Sequence, residues 1–167
     1  MKIGLISDTH GYLDSKIFHY TKECDEIWHA GDIGNVSLLS KLENFKPLRA
    51  VFGNIDSQEI RLCTSEIAFI SCGGMNIIMT HIAGKPPSYT KKIRTQLLAN
   101  QPDIIVCGHS HILKVIFDKK NKILYLNPGA AGRHGFHKVK TLLRFEIDNG
   151  KIFNMEVIEF GSRVQKK

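Results

Sequence analysis

The chain has 167 residues, of which 43% are hydrophobic and 23% charged, and its formal net charge is +7 at pH 7. This composition excludes a disordered or fibrous class, and a chain of this length buries roughly two thirds of its unfolded surface within one domain, expected to span residues 1–167. No apolar stretch approaches the ~20 residues needed to span a bilayer, and Met1-Lys2-Ile3 leads straight into a strand without a leader pattern, so a cytoplasmic protein with no membrane contact is expected.

The first apolar run predicts a strand over 2–7, and it ends in Asp8-Thr9-His10. A helix is expected at about 13–22 with Asp14 as its N-cap, then a strand over 26–30 that ends in Gly31-Asp32. The next helix, about 36–44, has Asn35 as N-cap, and the following strand, 47–52, ends in Gly53-Asn54. Alternation of strand and helix predicts right-handed crossovers and parallel pairing. Strands near 66–71 and 75–80 flank a Gly73-Gly74 hairpin turn, and the second ends in Thr80-His81. A helix from about 88 to 99 is stopped by Pro102, and strand 103–107 ends in Gly108-His109-Ser110-His111. Beyond it the texture becomes β-rich, with strands near 113–118, 122–127, 140–147 and 151–159. The joints at Lys119–Lys122 and Asp148-Asn149-Gly150 predict hairpins. Together these halves predict two packed sheets with helices on their outer faces.

Five strand ends therefore carry side chains able to bind a metal ion, and in open α/β sheets strand ends are where sites form. Seven donors could converge there: Asp8, His10, Asp32, Asn54, His81, His109 and His111. Alternate residues of an extended segment point the same way, which predicts that Asp8 and His10 share an ion; the same geometry applies to His109 and His111. A carboxylate such as Asp32 can bridge two ions. Mixed oxygen and nitrogen donors without a thiolate suit Mn²⁺, Fe²⁺, Zn²⁺ or Ni²⁺ better than Ca²⁺. Two such ions about 3.5–4 Å apart would polarise a phosphoryl group and hold a water in line with it, so phosphate ester hydrolysis is the expected chemistry. Neither a nucleophile elbow nor a G-x-x-x-x-G-K-[ST] run competes for that role.

Other polar residues have local duties. Asp56 is expected to stabilise its turn or support the site, His29 to be a hydrogen-bonded core histidine, His19 to be surface or packing, and Ser7 and Thr9 to bond within the ligand loop. Trp28 belongs to the core. Cys24, Cys63, Cys72 and Cys107 contain no C-x-x-C pair and read as reduced structural thiols. The basic surplus is spread along the chain, with denser spots at Lys91-Lys92, Lys119 to Lys122 and Lys166-Lys167. No basic stripe interleaved with aromatics marks a nucleic-acid face, so a nuclease is the less favoured partner class.

At these residues the sequence resembles the calcineurin-like metallophosphoesterases, and within them the small bacterial and archaeal phosphodiesterases related to the eukaryotic retromer subunit of the Vps29 type. The likeness runs from Asp8-Thr9-His10 through Gly31-Asp32, Gly53-Asn54-Ile55-Asp56, Thr80-His81 and Gly108-His109-Ser110-His111 to Asn127-Pro128-Gly129. It implies an α/β fold, a four-layer αββα sandwich of two mixed β-sheets. It also implies two divalent ions, Mn²⁺ foremost: Asp8, His10, Asp32 and His111 would hold the first, and Asp32, Asn54, His81 and His109 the second. Asp32, Asn54 and His81 would stand nearest the chemistry, acting on a small phosphodiester, and a homo-oligomer is compatible with the resemblance. The alternative it leaves open is a protein-interaction scaffold.

Two departures stand out. Where larger members of the family have a histidine that protonates the leaving group, this chain has Ile55, which forgoes the roughly 10²–10⁴-fold of general acid catalysis unless another group supplies it. His81 is followed by Ile82 where relatives often have glycine. The loop from Arg133 to Lys138, with His134 and His137, is a candidate to contact phosphate or to replace the missing acid.

Overall fold

Alternation of inward and outward side chains along the strands decides the layering. The computed structural model describes residues 1–164, so the Lys166-Lys167 spot lies outside the described residues. In chain order the elements are β1 (Lys2–Ile6), α1 (Ser15–Thr21), β2 (Glu26–His29), α2 (Val36–Glu43), β3 (Leu48–Ala50), α3 (Gln58–Cys63), β4 (Ile67–Cys72) and β5 (Met75–Thr80). They continue with β6 (Gly84–Lys85), β7 (Ser88–Tyr89), α4 (Lys91–Asn100), β8 (Ile104–Val106), β9 (Leu113–Asp118), β10 (Ile123–Pro128), β11 (Val139–Asp148) and β12 (Lys151–Ser162).

One five-stranded sheet has the order β12-β11-β1-β2-β3, the other β4-β5-β8-β10-β9. In the first, β1, β2 and β3 are parallel, and β11 pairs antiparallel with both β1 and β12. In the second, β5, β8 and β10 are parallel and the outer strands antiparallel. Ile3, Leu5, Trp28 and Phe145 of one sheet meet Ile77, Met79, Ile104, Val106 and Leu126 of the other. Residues of opposite parity face the helices: Ile6 and Ile27 pack with Ile17, Leu38, Leu42 and Ile60, and Ile78 and Ile105 with Ile93 of α4. The result is the four-layer αββα sandwich, with each fully buried aliphatic side chain contributing roughly 1.5–3 kcal/mol.

The caps and turns follow their residue types. Asp14 accepts the amide of Lys16 and Asn35 that of Leu38, at 3.0 and 2.9 Å. Gly73-Gly74 and Asn149-Gly150 have positive φ at both positions, the condition for tight turns that match strand twist. The helix expected from 88 starts at Lys91, because Thr90 caps it by accepting the Ile93 amide and Ser88–Tyr89 pairs instead with Gly84–Lys85. The third strand is three residues long, shorter than 47–52, and the last strand runs on to Ser162. Helix α3 has no counterpart in the sequence pattern. No helix among the described residues is long and apolar enough to cross a membrane.

Candidate metal centre

The five strands that carry the donor motifs, β1, β2, β3, β5 and β8, deliver their C-terminal ends to one common edge of the sandwich. Loop backbones there are stitched to one another: the amides of Asp8 and His10 donate to the carbonyls of Gly31 and Asp32 at 3.0 and 2.9 Å, and that of Gly108 to His81 at 3.1 Å. Asp8, His10, Asp32, His109 and His111 all have φ between 47 and 68°, a left-handed conformation that non-glycine residues rarely adopt. Asp8 and His10 thus do converge, but through two sharp turns rather than along an extended segment. The glycines of the motifs answer to crowding: a Cβ on Gly53 would overlap the Asp32 carboxylate, and one on Gly108 the Ser7 hydroxyl.

Five of the seven expected donors present their atoms in two overlapping clusters, Asp8 with His10 and His111, and Asp8 with Asp32 and His81. His111 Nε2 lies 3.2 Å from Asp8 Oδ1, His10 Nε2 3.6 Å from Asp32 Oδ2, and His81 Nε2 3.2 Å from Asp32 Oδ1. His10 and His111 bring their Nε2 atoms within 3.3 Å of each other. Asn54 and His109 stand at the rim. Both are exposed, the His109 ring centroid is 5.2 Å from that of His81, and its backbone amide donates to both Asp8 oxygens.

Residues behind the donors fix their orientation. His81 Nδ1 donates to the Ala30 carbonyl at 2.8 Å, which in the neutral ring leaves Nε2 as the lone-pair nitrogen. That atom is buried and has no hydrogen-bond partner. His29 Nδ1 accepts the Gly31 amide, so its Nε2 carries the proton and donates to Thr9 Oγ1 at 2.8 Å, and Thr9 in turn donates to Ile33 O. Asp56 accepts the amide of Gly34 with one oxygen and that of Gly53 with the other, at 2.8 and 2.7 Å. It thereby ties the Asp32 loop to the Asn54 loop. Asn127 donates to Gly108 O at 2.7 Å and to Ser110 Oγ at 3.2 Å. At the end of β10 the Asn127 Oδ1 also accepts the Gly129 amide at 2.9 Å, so one side chain holds both its own turn and the Gly108 loop.

Burial and charge compete at the site. Burial lowers the pKa of His10 below the ordinary imidazole value, despite the carboxylates of Asp32 and Asp8. Burial also opposes protonation of His81, yet Asp32 and Asp8 outweigh it and hold His81 above that value. For Asp32, burial is overcome by His81, the Ile55 amide and His10, and its carboxyl stays below the usual range. His29, wholly enclosed, is pushed down by burial to about 4.

The late loop comes close but splits in its roles. The His134 ring is 4.7 Å from that of His10, and the His137 ring 5.4 Å from that of His111. Arg133 is turned away, stacked 3.8 Å over the Tyr12 ring and donating to its hydroxyl. A cavity of about 550 Å³ opens over the donors, lined by His10, Asp32, Asn54, Ile55, His109 and His111 together with this loop.

The family model for the calcineurin-like phosphoesterase superfamily domain matches residues 1–150. The chain is 27% identical over 135 residues to a probable metallophosphoesterase of Methanothermobacter thermautotrophicus, covering 78% of this chain and 77% of that protein. It is 22% identical over 146 residues to a phosphodiesterase of Methanocaldococcus jannaschii, covering 77% and 83%. Among solved structures, wild-type Vps29 of Entamoeba histolytica complexed with Zn²⁺ has a TM-score of 0.69 at 19% identity, covering 96% of this chain and 100% of that one.

Proposed function

Because the chain belongs to the calcineurin-like phosphoesterase superfamily, we propose that it is a phosphodiesterase holding two divalent ions at the common edge of its sheets. The carrying observation is His81 Nε2, a buried nitrogen that makes no well-formed hydrogen bond yet sits against two carboxylates, 3.2 Å from Asp32 and 3.9 Å from Asp8, where either a proton or a cation would satisfy the cluster. A metal ligated at 2.0–2.1 Å sets neighbouring donors about 3.0–3.4 Å apart, and the His10–His111, His111–Asp8 and His81–Asp32 separations fall in that interval. Asp8, His10, Asp32 and His111 are assigned to one ion and Asp32, Asn54, His81 and His109 to the other. Asp32 is the bridge in this assignment, since its two oxygens face His10 and His81 separately.

Mn²⁺ is the first choice of ion, with Fe²⁺, Zn²⁺ and Ni²⁺ suited to the same donor set. When bound, such ions supply Lewis-acid polarisation of phosphoryl oxygens and activation of water. The protein's part is orientation. Asn54, at the rim, offers a neutral amide to a phosphoryl oxygen, and Ile55 beside it offers no proton to the leaving group. A cavity of about 550 Å³ suits a small diester.

The test is hydrolysis of bis(4-nitrophenyl) phosphate with Mn²⁺ by wild type and Asp32→Asn, alongside calorimetric metal stoichiometry. The variant is expected to lose more than about 100-fold in rate, the upper end of what disturbing even an outer partner of a metal costs. Equal rates would favour the second reading, a protein-interaction scaffold. That reading draws on Ile55, Ile112 and Phe136, exposed at 46, 65 and 103% around the cavity mouth.

A further inference from the structure

A second recess, of about 260 Å³, lies against the metal site on the other side of Asn54, lined by Phe52, Arg61, Glu66, Thr80, Ile82 and Lys92 among others. Asn54 borders both hollows, and His81 borders this one. The two ester oxygens of a diester diverge from phosphorus, so a phosphoryl group held at Asn54 would send one arm into each hollow. The recess is smaller than the ~300–1,000 Å³ of whole-ligand sites, which matches one ring-bearing arm rather than an entire substrate.

Its walls specify the arm's chemistry. Phe52 and Ile82 supply apolar faces, with Ile93 buried beneath them. Arg61 lies 4.4 Å from the Phe52 ring centroid and donates to the carbonyls of Gly53 and Asn54, so its charge holds the Asn54 loop and fixes the ring. Glu66 and Lys92 form an ion pair with side chains 52 and 54% exposed, an acceptor and a donor at the open edge of the recess. Apolar faces combined with a donor–acceptor edge match a planar heterocycle with polar groups on its rim. We propose that this recess binds the nucleobase of a nucleoside ester arm, making nucleoside-bearing diesters the preferred substrate class. The proposal rests on the phosphodiesterase reading above.

Two diesters with the same leaving group isolate the arm: thymidine 5′-(4-nitrophenyl phosphate) and methyl 4-nitrophenyl phosphate, each assayed with Mn²⁺. The wild type is expected to prefer the nucleoside diester by at least about tenfold in kcat/KM, a modest binding discrimination. Lys92→Ala and Glu66→Ala, both at exposed positions that spare the core, are expected to reduce that ratio toward one through a higher KM. A ratio near one in wild type, or one unchanged in both variants, overturns the proposal. Binding decides it independently of turnover. With Mn²⁺ present, thymidine 5′-monophosphate should bind at least about tenfold more tightly than inorganic phosphate and lose that margin in Lys92→Ala. If no diester is hydrolysed yet this margin is found, the phosphodiesterase reading fails and the recess stands; if both diesters are hydrolysed without the margin, the phosphodiesterase reading stands and the nucleobase recess fails.

Discussion

Asp56 touches none of the donors, yet its replacement by asparagine is expected to weaken both the fold and the site. Its two oxygens accept amides from loops that follow different strands, Gly34 after β2 and Gly53 after β3, and the residue is 4% exposed. Asparagine keeps the shape but turns one acceptor into a donor facing a backbone N–H, and it makes the remaining bond neutral. Losing one charge-assisted bond costs about 1.5–3 kcal/mol, and weakening the other adds about 0.5–1 kcal/mol, so roughly 2–4 kcal/mol is at stake. For a chain of this size that corresponds to a fall in Tm of roughly 5–15 °C in chelator-treated protein, measured by calorimetry. Because the clamp sets the distance between the Asp32 and Asn54 loops, Mn²⁺ affinity should fall by about 10–100-fold in titration calorimetry. An Asp56→Asn protein with wild-type Tm and wild-type metal affinity would refute the reasoning.

Two further outcomes follow from the same geometry. His29 has its folded pKa depressed from 6.5 to about 4, so between those values the unfolded chain binds a proton that the folded one refuses. Its contribution is intact above pH 6.5 and is lost as pH falls toward 4, about 3 kcal/mol in all, and His29→Gln should flatten the pH dependence of urea midpoints across that window by a comparable amount. Ile55→His, at a 46% exposed position on the cavity wall, should raise turnover of an aryl phosphodiester and raise it more for an alkyl leaving group. The ceiling is about 10²–10⁴-fold, and an unchanged rate in folded, metal-loaded variant would count against the missing-acid argument.

The five strand-end motifs were legible because each closes an apolar run; β1, β2, β5 and β8 end within a residue of those runs, and β3 stops two residues short of its own. What pattern could not convey was contact between distant loops. Asp56 could be recognised as a supporting residue, but its amide partners exist only once β2 pairs with β3. Asn127 makes the local turn bond to the Gly129 amide that its residue type favours, but its grip on the Gly108 loop exists only once β10 pairs with β8. Helix α3 spans six residues with Ile60 alone buried, too short for a 3.6-residue period to be counted. Arg61 within it therefore gave no hint that it grips the Asn54 loop. The convergence of Asp8 and His10 was anticipated for the wrong local reason, since left-handed turns do what an extended segment was expected to do.

Left-handed backbone beneath imidazoles also bears on stability. Each non-glycine residue in that region stores about 1–3 kcal/mol, and glycine at His10, His109 or His111 would release part of it. Backbone relief and the imidazole donor are therefore opposed at these three positions: glycine gains the first and gives up the second.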